Sequence, residues 1–219
     1  MIAVSQLAEL WELSGLSVEF TLEFSFVNKP SPDKRDWFVQ VLARDEGASI
    51  ADTVADKLFA YVNLNDPADL PDYLTWGGSG QTLVSNEMKA LVEGFAVPNT
   101  EFFPVKLVLR KGGMKDNDEP WEDGVSVDGF WLMNSWNRLD VIDTEKSVVE
   151  WQKSFVGERA PWITRWKRLV FTAAIEEDLF GFVHHLRRRR FISTRLRDAI
   201  LQKGLRCRVS SRPTHRADR

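Results

Sequence analysis

"LVSNEMKALVE" at residues 83–93 and "FISTRLRDAIL" at residues 191–201 are one short pattern written twice, in register and without a gap. Each copy runs two apolar residues, a serine, two polar residues, an apolar residue and a cation, and one position later an apolar pair. The opening pairs, Leu83 with Val84 and Phe191 with Ile192, favour strand. Ser85 and Ser193 then stand where a helix N-cap is wanted, offering an oxygen to the orphan amides of a first turn. Met88, Leu91 and Val92, like Leu196, Ala199 and Ile200, follow the spacing of one buried helix face. Gly94 and Gly204 are expected to stop the two helices. A strand candidate follows each stop, "TEFFPVKLVLR" at 100–110 and "LRCRVS" at 205–210. The repeated unit is thus strand, capped helix, strand. A nucleophilic serine also sits at a strand-to-helix turn, but the glycines that flank a hydrolase nucleophile are missing at both sites, so both serines are assigned as structural caps.

Outward from the repeat, strand patterns dominate. "SVEFTLEFSFV" at 17–27 alternates cleanly and predicts a half-buried antiparallel strand, and "WFVQVLAR" at 37–44 predicts another. The spacing of Val4, Leu7, Leu10 and Trp11 predicts a short helix over 3–14. The stretch from 49 to 63 fits a helix at its start and a strand at its end, and 63–82, rich in turn formers, is expected to be an irregular connection. Two strands joined near Asn134 to Arg138 and a further strand from Ile163 precede the second copy. Without regular βαβ alternation, the expected class is α+β, mainly antiparallel sheet with a few short helices, in a single domain over 1–219. The polar, basic residues 210–219 are expected to be a flexible tail.

The chain carries 219 residues, one cysteine and a net charge of −3. Cys207 alone allows no internal disulfide and suits a reducing cytoplasm. The start carries Glu9 and Glu12 and lacks a basic leader, and no apolar run reaches membrane-spanning length, so neither secretion nor membrane insertion is expected. Charge is lopsided: residues 1–150 hold 26 acidic against 12 basic side chains, and residues 151–219 hold 6 against 17. Either folding brings the halves together or two opposed fields steer charged partners.

Candidate chemistry is sparse. His184 and His185 are adjacent and point apart, and His215 lies in the tail, so no metal site is expected. Glu176, Glu177 and Asp178 suit a solvated turn or a helix cap, and Asn134, Asp140 and Asp143 suit turns and strand ends. "GGSG" at 77–80 lacks the lysine and hydroxyl of a phosphate loop. No catalytic residues and no cofactor are assigned. The basic run "RRRRFISTRLR", from Arg187, favours nucleic acid as the alternative partner, although the chain as a whole is acidic.

Three blocks, "PDYLTWGGSGQTLVSNEMKALVEGF…TEFFPVKL", "GFWLMNSWNRLDVIDTEKS" and "DLFGFVHHLRRRRFISTRLRDAILQKGL", resemble the eleventh immunity protein family of bacterial polymorphic toxin systems. That family is also labelled after a myxobacterial immunity protein and was first catalogued as a domain of unknown function. The resemblance spans roughly residues 63–209 and rests on Pro71, Asp72, Tyr73 and Ser85, on "FWLMNSWNRLDVID", and on Leu179, Phe180, Phe191, Ile192, Ser193, Leu196 and Leu205. Relative to the family pattern, residues 1–30 look like an N-terminal addition. The resemblance implies a cytoplasmic protein that binds a cognate toxin and blocks it inside the producing cell, without catalysis. For the contact, the acidic segment 111–126 offers Asp116, Asp118, Glu119, Glu122 and Asp123 around Trp121, negative charge with an aromatic anchor.

Overall fold

A computed structural model describes residues 9–15, 20–24, 58–64, 66–75, 82–110, 125–152, 162–184 and 189–214. The described part contains thirteen strands and two α-helices. They are β1 (Glu9–Ser14), β2 (Phe20–Phe24), β3 (Leu58–Asn63), β4 (Tyr73–Thr75), β5 (Thr82–Ser85), α1 (Asn86–Gly94), β6 (Thr100–Arg110), β7 (Val125–Ser135), β8 (Arg138–Leu139), β9 (Val148–Gln152), β10 (Trp162–Arg168), β11 (Leu179–Phe182), β12 (Arg190–Ile192), α2 (Thr194–Gln202) and β13 (Arg208–Pro213). A six-stranded sheet has the order β2-β3-β6-β7-β5-β4 and a five-stranded sheet the order β13-β1-β12-β11-β8, while β9 and β10 form a separate ribbon. Among the described strands only β3 with β6 and β8 with β11 pair in parallel. The fold is α+β and mainly antiparallel.

Alternation along the strands sorts the core. In β4 and β5, Tyr73 and Val84 face one way and Leu74 and Leu83 the other; in β11 and β12, Leu179 and Ile192 oppose Phe180 and Phe191. The first set of each sheet meets the buried faces of both helices, Met88, Leu91, Val92, Leu196 and Ile200, in one central core. Behind the six-stranded sheet Leu74 and Leu83 pack with Ala60 and Val62 and with Leu107, Leu109 and Leu132. Behind the five-stranded sheet Phe180, Phe182 and Phe191 pack against Ile163 and Trp166 of the ribbon.

The helix expected over 3–14 is corrected by the structure: residues 9–14 are a strand, and 3–8 lie outside the described residues. β1 pairs with β12 on one side and β13 on the other, so its backbone bonds in both directions. Leu10 and Leu13 are buried on opposite faces, which a central strand achieves and a one-sided helix does not. Residues 9–14 are therefore integral to a sheet. At the end of β1 the Gly15 amide donates to Thr75 Oγ1 at 3.2 Å, joining the sheets. The expected tail is also corrected in part, because Ser210 to Pro213 belong to β13 and the buried Thr214 accepts from the Leu169 amide at 2.8 Å. Residues 215–219, like the strand expected at 37–44, lie outside the described residues. Within the expected irregular connection, Asp66 caps a single 3-10 turn at Pro67–Asp69, and β4 follows.

Candidate partner-binding surface

The repeated serines sit at the starts of α1 and α2 in extended backbone conformation. Ser85 Oγ accepts from the Met88 amide at 3.2 Å and Ser193 Oγ from the Leu196 amide at 3.0 Å. Each hydroxyl donates in turn to an aspartate: Ser85 to Asp72 Oδ1 at 2.6 Å, Ser193 to Asp178 Oδ1 at 2.5 Å. The main chain repeats the link, since the Ser85 amide donates to the Asp72 carbonyl and the Ser193 amide to the Asp178 carbonyl, both at 3.0 Å. The duplicated unit is thus longer than strand, helix, strand. It is an aspartate, a two-stranded hairpin, a capping serine and a helix, with Tyr73 opposite Val84 in one copy and Leu179 opposite Ile192 in the other. With the proton and one lone pair of each hydroxyl committed, and a carboxylate rather than an imidazole as neighbour, these serines hold backbone in place.

The two aspartates had a signal in the sequence: "PDYL" precedes the first serine and "EDLF" the second at nearly equal separation. Asp178, read as part of an acidic turn, is 7% exposed and also holds the Arg195 guanidinium, which raises the arginine pKa. Asp72 Oδ2 accepts from the Arg206 amide at 2.7 Å, and the Arg206 side chain donates to the carbonyls of Ala68 and Asp69. The first unit is tied in this way to the chain that follows the second helix.

The basic C-terminal segment is largely consumed by such ties. Arg189 and Arg212 both reach Glu12, which is 8% exposed in the middle of β1. Arg190 is buried and donates to the Ser135 carbonyl at 2.7 Å. Arg195 holds Asp178, and Arg197 pairs with Asp198 and covers the Trp11 ring at 4.1 Å. Arg187 and Arg188 lie outside the described residues. Glu12 thus ties the acidic part of the chain to two arginines of the basic part, while Arg195 and Arg197 pair with carboxylates of the basic part itself.

The remaining polar candidates are dispersed. Asn134 donates to Glu101 at 2.8 Å. Asp143 accepts from the Lys146 amide and pairs with its ammonium, bonds that hold the carboxyl below the usual range. Asp140 meets His184 at 3.5 Å, and the His184 ring lies edge-on to Trp151, which is 44% exposed. Burial, with help from Asp72, pushes the Cys207 thiol up to about 11, so it is a thiol and not a nucleophile near neutral pH. Among the described residues no three His, Cys, Asp or Glu side chains gather to hold a metal ion. No described helix is long and apolar enough to cross a membrane.

Asp116, Asp118, Glu119, Trp121, Glu122 and Asp123 lie outside the described residues. Their flanks are described. β6 and β7 are the longest of the described strands, and their pairing runs as far as Leu109 opposite Val125. Val125 is 56% exposed, and Ser126 and Asp128 beside it are exposed too. The acidic segment is the chain between these two strands. A family model described as an immunity protein family (Imm11) matches residues 59–209, more than half of the chain and both repeated units. No curated protein matches the chain.

Proposed function

The chain belongs to the Imm11 immunity protein family, and on that premise we propose that it binds a cognate bacterial toxin in the cytoplasm of the producing cell and masks it. The observation that carries this reading is the family match across both capped-helix units. Two further features support a binding role without catalysis: the serine hydroxyls are committed to caps, and the described histidine, aspartate and cysteine candidates do not converge.

The contact we assign is the segment 111–126, with Asp116, Asp118, Glu119, Glu122 and Asp123 supplying charge and Trp121 the anchor. It connects β6 to β7, whose residues Leu109 and Val125 face each other. Nuclease toxins are commonly basic because they hold polyanions, and carboxylates on the inhibitor speed encounter with them. Co-expression with the toxin encoded beside this protein should restore growth; continued killing in the presence of soluble, folded protein would refute the reading. Neutralising the five carboxylates together should slow association severalfold at low salt and little at high salt, where the Debye length falls to about 3 Å. Equal rates for both proteins at both salts would move the contact elsewhere.

A further inference from the structure

Arg190, at the start of β12, is 4% exposed and carries its charge into the seam between the two sheets. Its Nη2 donates to the carbonyl of Ser135, the last residue of β7 in the other sheet, while Nε and Nη1 have no acceptor among the described residues. Arg138 Nη1 approaches the same Ser135 carbonyl at 3.4 Å, so two guanidinium groups converge on one oxygen. Tyr73, on β4, is 1% exposed; the Thr82 hydroxyl stands beside its oxygen as a donor, and its own proton has no acceptor among the described residues. Arg190 acts on it through space, opposing the rise in its pKa that burial causes. Arginine does not lose its proton inside a protein, and an uncompensated buried cation is strongly unfavourable. Every other described arginine of the basic run has a carboxylate: Arg189 has Glu12, Arg195 has Asp178, Arg197 has Asp198. Arg190 has only a neutral carbonyl.

We propose that Arg190 and Tyr73, at the seam between the sheets, form an internal binding site for a small monovalent anion of the size of chloride. The chemistry selects it. The Arg190 Nε–H and Nη1–H and the Tyr73 O–H are all donors, so the occupant must accept, and two converging guanidinium groups favour negative charge. A water molecule would accept these bonds and leave the charge uncompensated. With Arg190 4% and Tyr73 1% exposed, the seam favours a small anion over larger oxyanions. Bound there, the anion bridges the two sheets and couples their stability.

Thermal and urea unfolding of the whole protein in sodium chloride, bromide and gluconate, at one ionic strength, test this. At a chloride or bromide concentration ten times the dissociation constant, the unfolding equilibrium should shift about elevenfold toward the native state relative to gluconate. Tyr73→Phe should weaken that anion dependence and Arg190→Met should abolish it. Crystals soaked in bromide should show an anomalous peak within hydrogen-bond distance of Arg190 Nε or Nη1. Identical stability in halide and gluconate, or bromide peaks confined to the surface, would overturn the proposal. If Arg190→Met fails to fold, the wild-type anion comparison, Tyr73→Phe and the bromide peak still decide it.

Discussion

Gly94 and Gly204 look alike at the ends of two similar helices, yet the backbone uses them differently. Gly204 has φ +65, directly after the C-cap of α2, whereas Gly94 is the last helical residue of α1, and the left-handed position there falls to Ala96 at φ 49. A Cβ on either glycine would meet nothing within 4 Å, so conformation alone sets the cost. Gly204→Ala should therefore destabilise the protein by about 1 kcal/mol, the price of left-handed backbone for an L-residue. Gly94→Ala should stabilise it by about 0.5 kcal/mol, because alanine loses less freedom in a helix than glycine. Urea unfolding of the two variants checks the opposite signs; equal signs would show that the two helix ends are not built as described.

At the scale of the element, each unit is a hairpin and a helix locked by one serine and one aspartate. Ser85→Ala or Ser193→Ala should cost about 1 kcal/mol, the ordinary worth of an N-cap. Because each serine also bonds an aspartate, Ser85→Ala and Asp72→Ala should be non-additive, with a coupling of at least about 0.5 kcal/mol in a double-mutant cycle. The distant pair Ser85→Ala and Ser193→Ala joins no shared bond and should add. Coupling indistinguishable from zero for Ser85 with Asp72 would show that the serine acts on the helix alone.

For the whole molecule, the decisive contacts run between the acidic first part and the basic last part. Glu12 is buried between Arg189 and Arg212, which are separated from it by 177 and 200 residues. Glu12→Gln leaves two cations facing each other without a counter-charge. Both arginines reach solvent in part, so the loss should be about 2 kcal/mol, below that of a fully enclosed pair. Chemical unfolding measures it directly, and a loss below about 0.5 kcal/mol would show that water already screens the group.

The capped-helix repeat, the long strands at 100–110 and around Trp131, and the α+β class were legible in the sequence because they rest on local physics. Side-chain period, a capping hydroxyl and strand propensity act within a few residues and leave their mark there. β1 was not legible, because the apolar spacing of Leu7, Leu10 and Trp11 also suits a helix, and only pairing with β12 and β13 makes Leu10, Glu12 and Leu13 inward-facing residues of a central strand. The same holds for β13, whose polar composition resembles a tail until β1 bonds its backbone. Asp72 and Asp178 stood in view as residues, but their hydroxyl partners lie 13 and 15 positions away across a hairpin. The run of arginines is the clearest case. Composition shows their charge, whereas the path of the chain decides that Arg189 meets Glu12, that Arg195 meets Asp178, and that Arg190 lies buried beside a carbonyl, because electrostatic energy depends on distance in space and not on distance along the chain.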